Sequence, residues 1–315
     1  MKMKRRSVLL LIVSLMVLSV SVGVSTAKGS FEGKKIAFAP KTLNNPYFVA
    51  VGEAIKSEAA KYGMTVVSAA PPAETDVDQQ VSIVENYIQM KVDAILTVPC
   101  DKTALVKTIN NADAAGIPVF IIDSGCNPCN YQSFVGTNNY QGGKLAAKWV
   151  GKNIVKGDVA ILDGYSGNDA TTLRFKGFMD QIKKYSKIKV VNSAYANCER
   201  AQGMTQAENF MTADPKLKCI FAVNDMMALG AVEAVKAARK QKKVKVIGFD
   251  GQPEAARSIH KGGLTATIAQ FPKTMGIMAV DGLVKYWNGE KVEKVIDTGC
   301  KVVDKTNCTQ FFQYN

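Results

Sequence analysis

The chain has 315 residues, of which 47% are hydrophobic, 21% charged and 8% aromatic. This is too apolar for a disordered chain and too mixed for a multi-span membrane protein, and a length near 300 usually divides between two cores. Seven cysteines are too few for a small disulfide scaffold, and the single histidine, His260, argues against His-rich metal chemistry, so no metal and no cofactor is expected.

The formal charge of +13 would suggest an anionic partner, but its distribution argues otherwise. Residues 1–27 hold Lys2, Lys4, Arg5 and Arg6 and no acid. An uncharged apolar run, Val8 to Val24, follows, and then Ser25-Thr26-Ala27. A basic start, an apolar stretch and small residues at the last and third-last positions make a secretory signal peptide. A retained anchor helix is the alternative, and the small-residue site favours cleavage. The strongly apolar run favours ordinary export over the twin-arginine route, and no cysteine follows to carry a lipid anchor. The expected product is a soluble periplasmic protein. Lys183, Lys184, Lys240, Lys242 and Lys243 fall at helix ends or in polar loops without interleaved aromatics, which is a solvated surface and no nucleic-acid footprint.

From Lys34 onward, short apolar runs alternate with helical periodicity. Ile36–Ala39 reads as a strand, followed by a helix with Phe48, Val51, Ile55, Ala59 and Tyr62 on one face, closed by Gly63. The strand Thr65–Val67 precedes a helix striped with Val77, Val81, Val84 and Ile88. Strand 94–98, a helix near 104–115 and strand 119–122 complete the first run. The pattern then restarts with strand 159–162 and a helix carrying Phe175, Phe178 and Ile182. Val190-Val191, a helix from about 199 to 211, strand 219–223, a helix from 225 to about 239 and strand 244–249 follow. Continuous apolar strands separated by amphipathic helices mean parallel sheets covered on both faces, here in two successive units.

Open parallel sheets bind ligands beyond the carboxyl ends of their strands. Polar residues gather at those ends: Asn44-Asn45-Pro46-Tyr47-Phe48, Asp123-Ser124, Asn224-Asp225 and Asp250-Gly251. Each alone is equally at home as a turn or a helix cap. Together they put amides and carboxylates around one cleft.

These segments resemble a family. Thr42-Leu43-Asn44-Asn45-Pro46-Tyr47-Phe48, Asn224-Asp225-Met226-Met227-Ala228-Leu229-Gly230, Val246-Ile247-Gly248-Phe249-Asp250-Gly251 and Ala266-Thr267-Ile268-Ala269-Gln270 are similar, in order, to motifs of the ribose-binding proteins. These are periplasmic sugar receptors of ABC transporters, and the likeness runs from about Lys34 to about Cys300. It implies the type I periplasmic binding protein fold: two doubly wound α/β lobes joined by a three-stranded hinge. The crossings would fall near 136–138, 269–271 and 300–303. The first lobe would comprise 34–136 plus 271–300, and the second 137–269 plus 301–315.

The resemblance also implies a site. Asn45 would hydrogen-bond a hydroxyl, Tyr47 and Phe48 would pack on the apolar face of a sugar, and Asp123 would accept from two hydroxyls. Arg174 would donate from the second lobe, with Asn224, Asp250 and Gln270 supplying further polar contacts. Ser124 stands where ribose receptors carry a second arginine, and Cys198 where they carry a large aromatic. The expectation is a roomier pocket with one fewer donor, which disfavours ribose and suits a larger sugar, a polyol or a cyclitol. The partners implied are a neutral sugar or polyol, a membrane permease and, as the signalling alternative, a chemoreceptor, with the protein acting as a monomer.

Other chemistries lack their motifs. The first strand leads into Pro40-Lys41-Thr42-Leu43-Asn44, without the glycines a dinucleotide turn needs, and no phosphate-binding loop occurs. Asp123 and Asp250 as a glycosidase pair are outweighed by the amides and arginine around them, so no reaction is expected. A regulator of the same core would carry a helix-turn-helix where the export signal lies. Cys126-Asn127-Pro128-Cys129 has redox spacing, yet it sits in a loop after a strand rather than at a helix start, so a structural disulfide is expected. Cys300 and Cys308 form a second close pair, Cys100 is another candidate partner for the 126–129 loop, and the connectivity stays open. Cys219, in an apolar strand, is expected buried and free.

Overall fold

A computed structural model describes residues 31–314, so the signal peptide read at 1–27 lies outside the described residues. The chain opens with β1 (Lys35–Ala39), α1 (Pro46–Ala60), β2 (Thr65–Ser68), α2 (Val77–Gln89), β3 (Ala94–Thr97), α3 (Val106–Ala114), β4 (Val119–Ile122) and β5 (Ser133–Gly136). It continues with α4 (Asn139–Asn153), β6 (Gly157–Asp163), α5 (Asp169–Ile182), β7 (Ile188–Tyr195), α6 (Arg200–Ala213) and β8 (Cys219–Ala222). Next come α7 (Asp225–Ala237), β9 (Lys245–Asp250), α8 (Pro253–His260), β10 (Ala266–Ala269), α9 (Pro272–Trp287), β11 (Val295–Asp297) and β12 (Lys301–Val303).

Two sheets share one plan. The first runs β11-β5-β4-β3-β1-β2 and the second β12-β10-β9-β8-β6-β7. All pairings are parallel except that of β12, which lies antiparallel on β10. The central strands β3, β4 and β8 are buried at every position, because helices cover both faces. In the first lobe Phe38, Phe120 and Leu96 pack toward α1 and α9, while Ile95, Ile121 and Ile109 form the core on the α2–α3 side. In the second, Phe178 stacks on Phe221 with ring centroids 4.4 Å apart. The chain passes between the sheets three times: between β5 and α4, between β10 and α9, and between β11 and β12.

The sequence reading assigns no element to 139–153, 253–260 or 272–287, where α4, α8 and α9 stand, nor to the short strands β5 and β11. The buried face of α4 is Gly142, Gly143, Ala146, Ala147, Val150 and Gly151, small residues that give no apolar stripe. Their size lets backbones touch. A Cβ on Gly143 would lie 2.0 Å from the carbonyl oxygen of Arg174, and one on Gly177 would lie 2.0 Å from that of Tyr140. The pair α4–α5 is therefore locked by reciprocal glycines. The pair α6–α7 repeats the device, with Gly230 against the carbonyl of Arg200 and Gly203 against the backbone of Met227.

Cys126 and Cys129 form a disulfide in the loop after β4. The two other pairings left open are corrected: Cys100, Cys300 and Cys308 are free thiols, as is buried Cys219. Cys100 points its sulfur at the carbonyl of Lys41, and Cys308 is buried in the core of the second lobe.

Candidate functional site

In each sheet the first strand sits between the second and the third, so the chain reverses its winding direction beside β1 and beside β6. Such switch points open a crevice at the carboxyl ends of the strands. The crevices of the two lobes face one another across a small, closely walled cavity.

Nine of the ten expected residues line it: Asn45, Tyr47, Phe48 and Asp123 from the first lobe, and Arg174, Cys198, Asn224, Asp250 and Gln270 from the second lobe and its crossing. Ser124 does not. It is buried behind the wall, where its Oγ accepts from the Ala170 N–H of the other lobe at 3.4 Å. The cavity is instead completed by Lys41, Glu74, Asn168, Ala170 and Thr171.

Arg174 organises one end. Its Nε donates to Asn139 Oδ1 at 2.8 Å, and its Nη1 to the Val223 carbonyl at 2.9 Å and Asp250 Oδ1 at 3.1 Å. Its plane rests on Phe249, 3.9 Å from the ring centroid. Nη2 stands 3.9 Å from Asp123 Oδ1, which accepts from the Tyr47 hydroxyl at 3.1 Å. Gln270 Nε2 donates to Asp250 Oδ1 at 2.9 Å, leaving its own Oε1 buried without a hydrogen-bond partner. An open guanidinium nitrogen and an open amide oxygen thus face the same small space.

Burial governs the acids. Asp250 is pushed up to about 7, because loss of water outweighs the attraction of Arg174, and Asp123 and Glu74 add repulsion. Asp225, just outside the lining, is also raised well above its usual value, first by burial and then by Asp250. Burial also raises Glu74, against the pull of Lys41 and the hydrogen bond from Asn45. The Tyr47 hydroxyl is raised well above its usual value, first by burial and then by Asp123 and Asp250, so it stays a donor.

The backbone adds a further mark. Asp123, Cys198 and Asp250 have φ of 63°, 62° and 118°, a region side chains avoid at a cost of ~1–3 kcal/mol. Three lining residues held in strained backbone, one after β4, one ending β9 and one before α6, are a signature of a built site. Asn45 and Asn224 cap α1 and α7 through their carbonyl oxygens while lining the cavity. The cap and ligand readings of these residues are therefore compatible.

Residues 36–291 match the model of the periplasmic binding protein domain. The chain belongs to the periplasmic binding protein family. It is 37% identical over 281 residues to the ribose import binding protein RbsB of Bacillus subtilis, covering 88% of this chain and 90% of that one. An ABC transporter periplasmic solute binding protein from Actinobacillus succinogenes, solved with bound D-allose, superposes with a TM-score of 0.84 at 34% identity. That match covers 88% of this chain and 99% of the other. A solute binding protein from Bacillus halodurans with bound myo-inositol gives a TM-score of 0.83 at 31% identity, covering 91% and 99%. The two-lobed periplasmic binding protein fold is thus shared with receptors solved on ligands of different shape.

Sequence reasoning missed Asn168, Ala170 and Thr171 at the start of α5, and the two charged residues Lys41 and Glu74. Lys41 and Glu74 each lie in a Pro-containing turn that reads as a solvated loop, and only their position after β1 and β2 marks them. Lys41 brings an ammonium to the wall near Cys198 from the first lobe. Its Nζ donates to Asn168 Oδ1 at 3.0 Å, and Asn168 Nδ2 stands 3.9 Å from the Cys198 sulfur.

Proposed function

We propose that this receptor captures one neutral monosaccharide, polyol or cyclitol between its lobes in the periplasm and delivers it to the membrane permease of an ABC importer. One observation carries the reading: carboxylates, amides and a guanidinium converge with two aromatic side chains on one cavity between the lobes. Hydroxyls both donate and accept, so a neutral polyol satisfies this mixed set, while Tyr47 and Phe48 supply apolar area for its C–H face. The likeness to a ribose import protein and to receptors holding D-allose and myo-inositol supports the same class.

In this reading residues 1–27 direct export and are removed. Residues 34–136 plus 271–300 form one lobe and 137–269 plus 301–315 the other, and the protein acts as a monomer. Asp123 and Asp250 hold hydroxyls and catalyse no reaction. Thermal-shift measurements on the exported protein with D-ribose, D-allose and myo-inositol test the reading. A ligand at about 100 times its Kd adds ~2.7 kcal/mol of stability. A rise in Tm with at least one of them is expected, and no rise with any would refute it.

A further inference from the structure

The loop between β4 and β5 meets the start of α5 on the other lobe, and it also carries the disulfide. Ser124 Oγ accepts from the Ala170 N–H at 3.4 Å, and a Cβ on Gly125 would stand 2.6 Å from Asp169 Oδ2. The Asn127 N–H donates to the Lys102 carbonyl at 2.8 Å, and the Lys102 N–H donates in turn to the Gly167 carbonyl at 2.9 Å. Residues 124–127 thus brace the start of α5 twice, directly and through Lys102. Cys126 is 3% exposed in the first-lobe core on the α2–α3 side, and half-buried Cys129 packs against the same core. All seven cysteines are accounted for, these two bridged and the other five free.

A bridge between residues three apart closes a short loop, so it constrains the unfolded chain less than a long-range bridge would. Its effect is local. It ties Ser124, Gly125 and Asn127 to a sulfur fixed in the core, so the surface that α5 meets is formed before the lobes close. An unbridged loop would have to be ordered at each closure, which disfavours the closed state. Asp123, the ligand-facing residue of this segment, is held separately. Its N–H donates to the Val135 carbonyl at 3.0 Å, and its carbonyl accepts from Asn139 Nδ2 at 3.2 Å.

Building on the sugar-receptor reading above, we propose that the Cys126–Cys129 disulfide positions this loop for lobe closure and so raises the affinity for every ligand by one common factor. Breaking the bridge lowers the fraction of the closed, binding-competent form, and the apparent Kd rises by the inverse of that fraction. The ligand enters while the loop and α5 are apart, so the change falls on dissociation rather than association.

The test uses D-ribose, D-allose and myo-inositol. Kd values by calorimetry and rates by stopped flow are measured on the exported wild type, on the wild type reduced with tris(2-carboxyethyl)phosphine, and on Cys126→Ala/Cys129→Ala. The phosphine gives two electrons to the disulfide and takes oxygen from water, leaving as its oxide, and the two protons of that water complete the two thiols. The reduced wild type keeps the native sequence and carries the test if the double variant fails to fold. Both unbridged forms are expected to bind each ligand of the wild type roughly 3–10-fold more weakly, with faster dissociation and unchanged association. Unchanged affinity with a lower Tm would make the bridge a staple of the fold alone and overturn the proposal. So would a factor that differs several-fold between two bound ligands, or a loss seen only in association, with the sugar-receptor reading intact. A wild type that binds none of the three overturns both.

Discussion

Arg174 commits Nε and Nη1 to protein acceptors on three elements and presents Nη2 toward Asp123. A lysine there keeps the charge but loses the planar fork, so Arg174→Lys should weaken sugar binding by ~1–3 kcal/mol in calorimetry; equal affinity would show that the fork is not used. Asp250 gives a pH prediction. Its carboxyl ionises near ~3.9 in an unfolded chain and near 7 in the native state, so the native state binds its proton more tightly in between. Below that window the difference costs nothing. As pH rises through it the native state is progressively destabilised, with the full penalty above about 7. The unliganded protein should therefore lose Tm between pH 5 and pH 8, and Asp250→Asn should lose less over the same interval. Identical slopes would contradict the assignment. Asp123 and Asp250 were legible in the sequence because they follow apolar strands. Lys41 and Glu74 were not, since a charge in a Pro-containing turn looks the same whether water or a ligand solvates it.

The helix pair α4–α5 fixes where Arg174 sits. Gly143 meets the Arg174 carbonyl, and Gly177, one turn further along α5, meets that of Tyr140. Gly143→Ala should push the helices apart, costing ~1–3 kcal/mol of stability and withdrawing Arg174 from the cavity, so that Tm and sugar affinity fall together. A change in Tm alone would mean that α5 keeps its position. The same chemistry explains the uneven reading of elements. The helices with large apolar stripes, α1 and α2, announce themselves through Phe48, Val51, Val84 and Ile88. In α4 close packing replaces the stripe, and a Gly/Ala face carries no periodic signal. The central strands β3, β4 and β8 were legible because burial on two faces makes them continuously apolar, whereas the short strands β5, β11 and β12 went unassigned.

Across the molecule the lobes are held in contact by hydrogen bonds that span the cleft. Tyr165 donates to the Cys100 carbonyl at 2.8 Å, the Lys102 N–H to the Gly167 carbonyl at 2.9 Å, and Gln252 Nε2 to Asn45 Oδ1 at 3.1 Å. These bonds form only when the lobes meet, so they set the fraction of the binding-competent state. Tyr165 does not line the cavity. Tyr165→Phe should thus weaken every ligand by one common factor of ~2–10, with no change in the order of preference. A ligand-dependent effect would place its hydroxyl at the sugar. The likeness of the four motifs carried this architecture from the sequence, whereas the cross-lobe bonds depend on residues far apart in the chain and left no pattern to read. The claim on which all of this rests is that Asp123 and Asp250 hold the hydroxyls of one neutral ring between the lobes. Titration calorimetry of the exported wild type, Asp123→Ala and Asp250→Ala with D-ribose, D-allose and myo-inositol tests it directly. One ligand bound per chain is expected, with a loss of ~1–3 kcal/mol or more in each variant while both remain folded. Unchanged affinity in both variants, or no binding to the wild type, would contradict it.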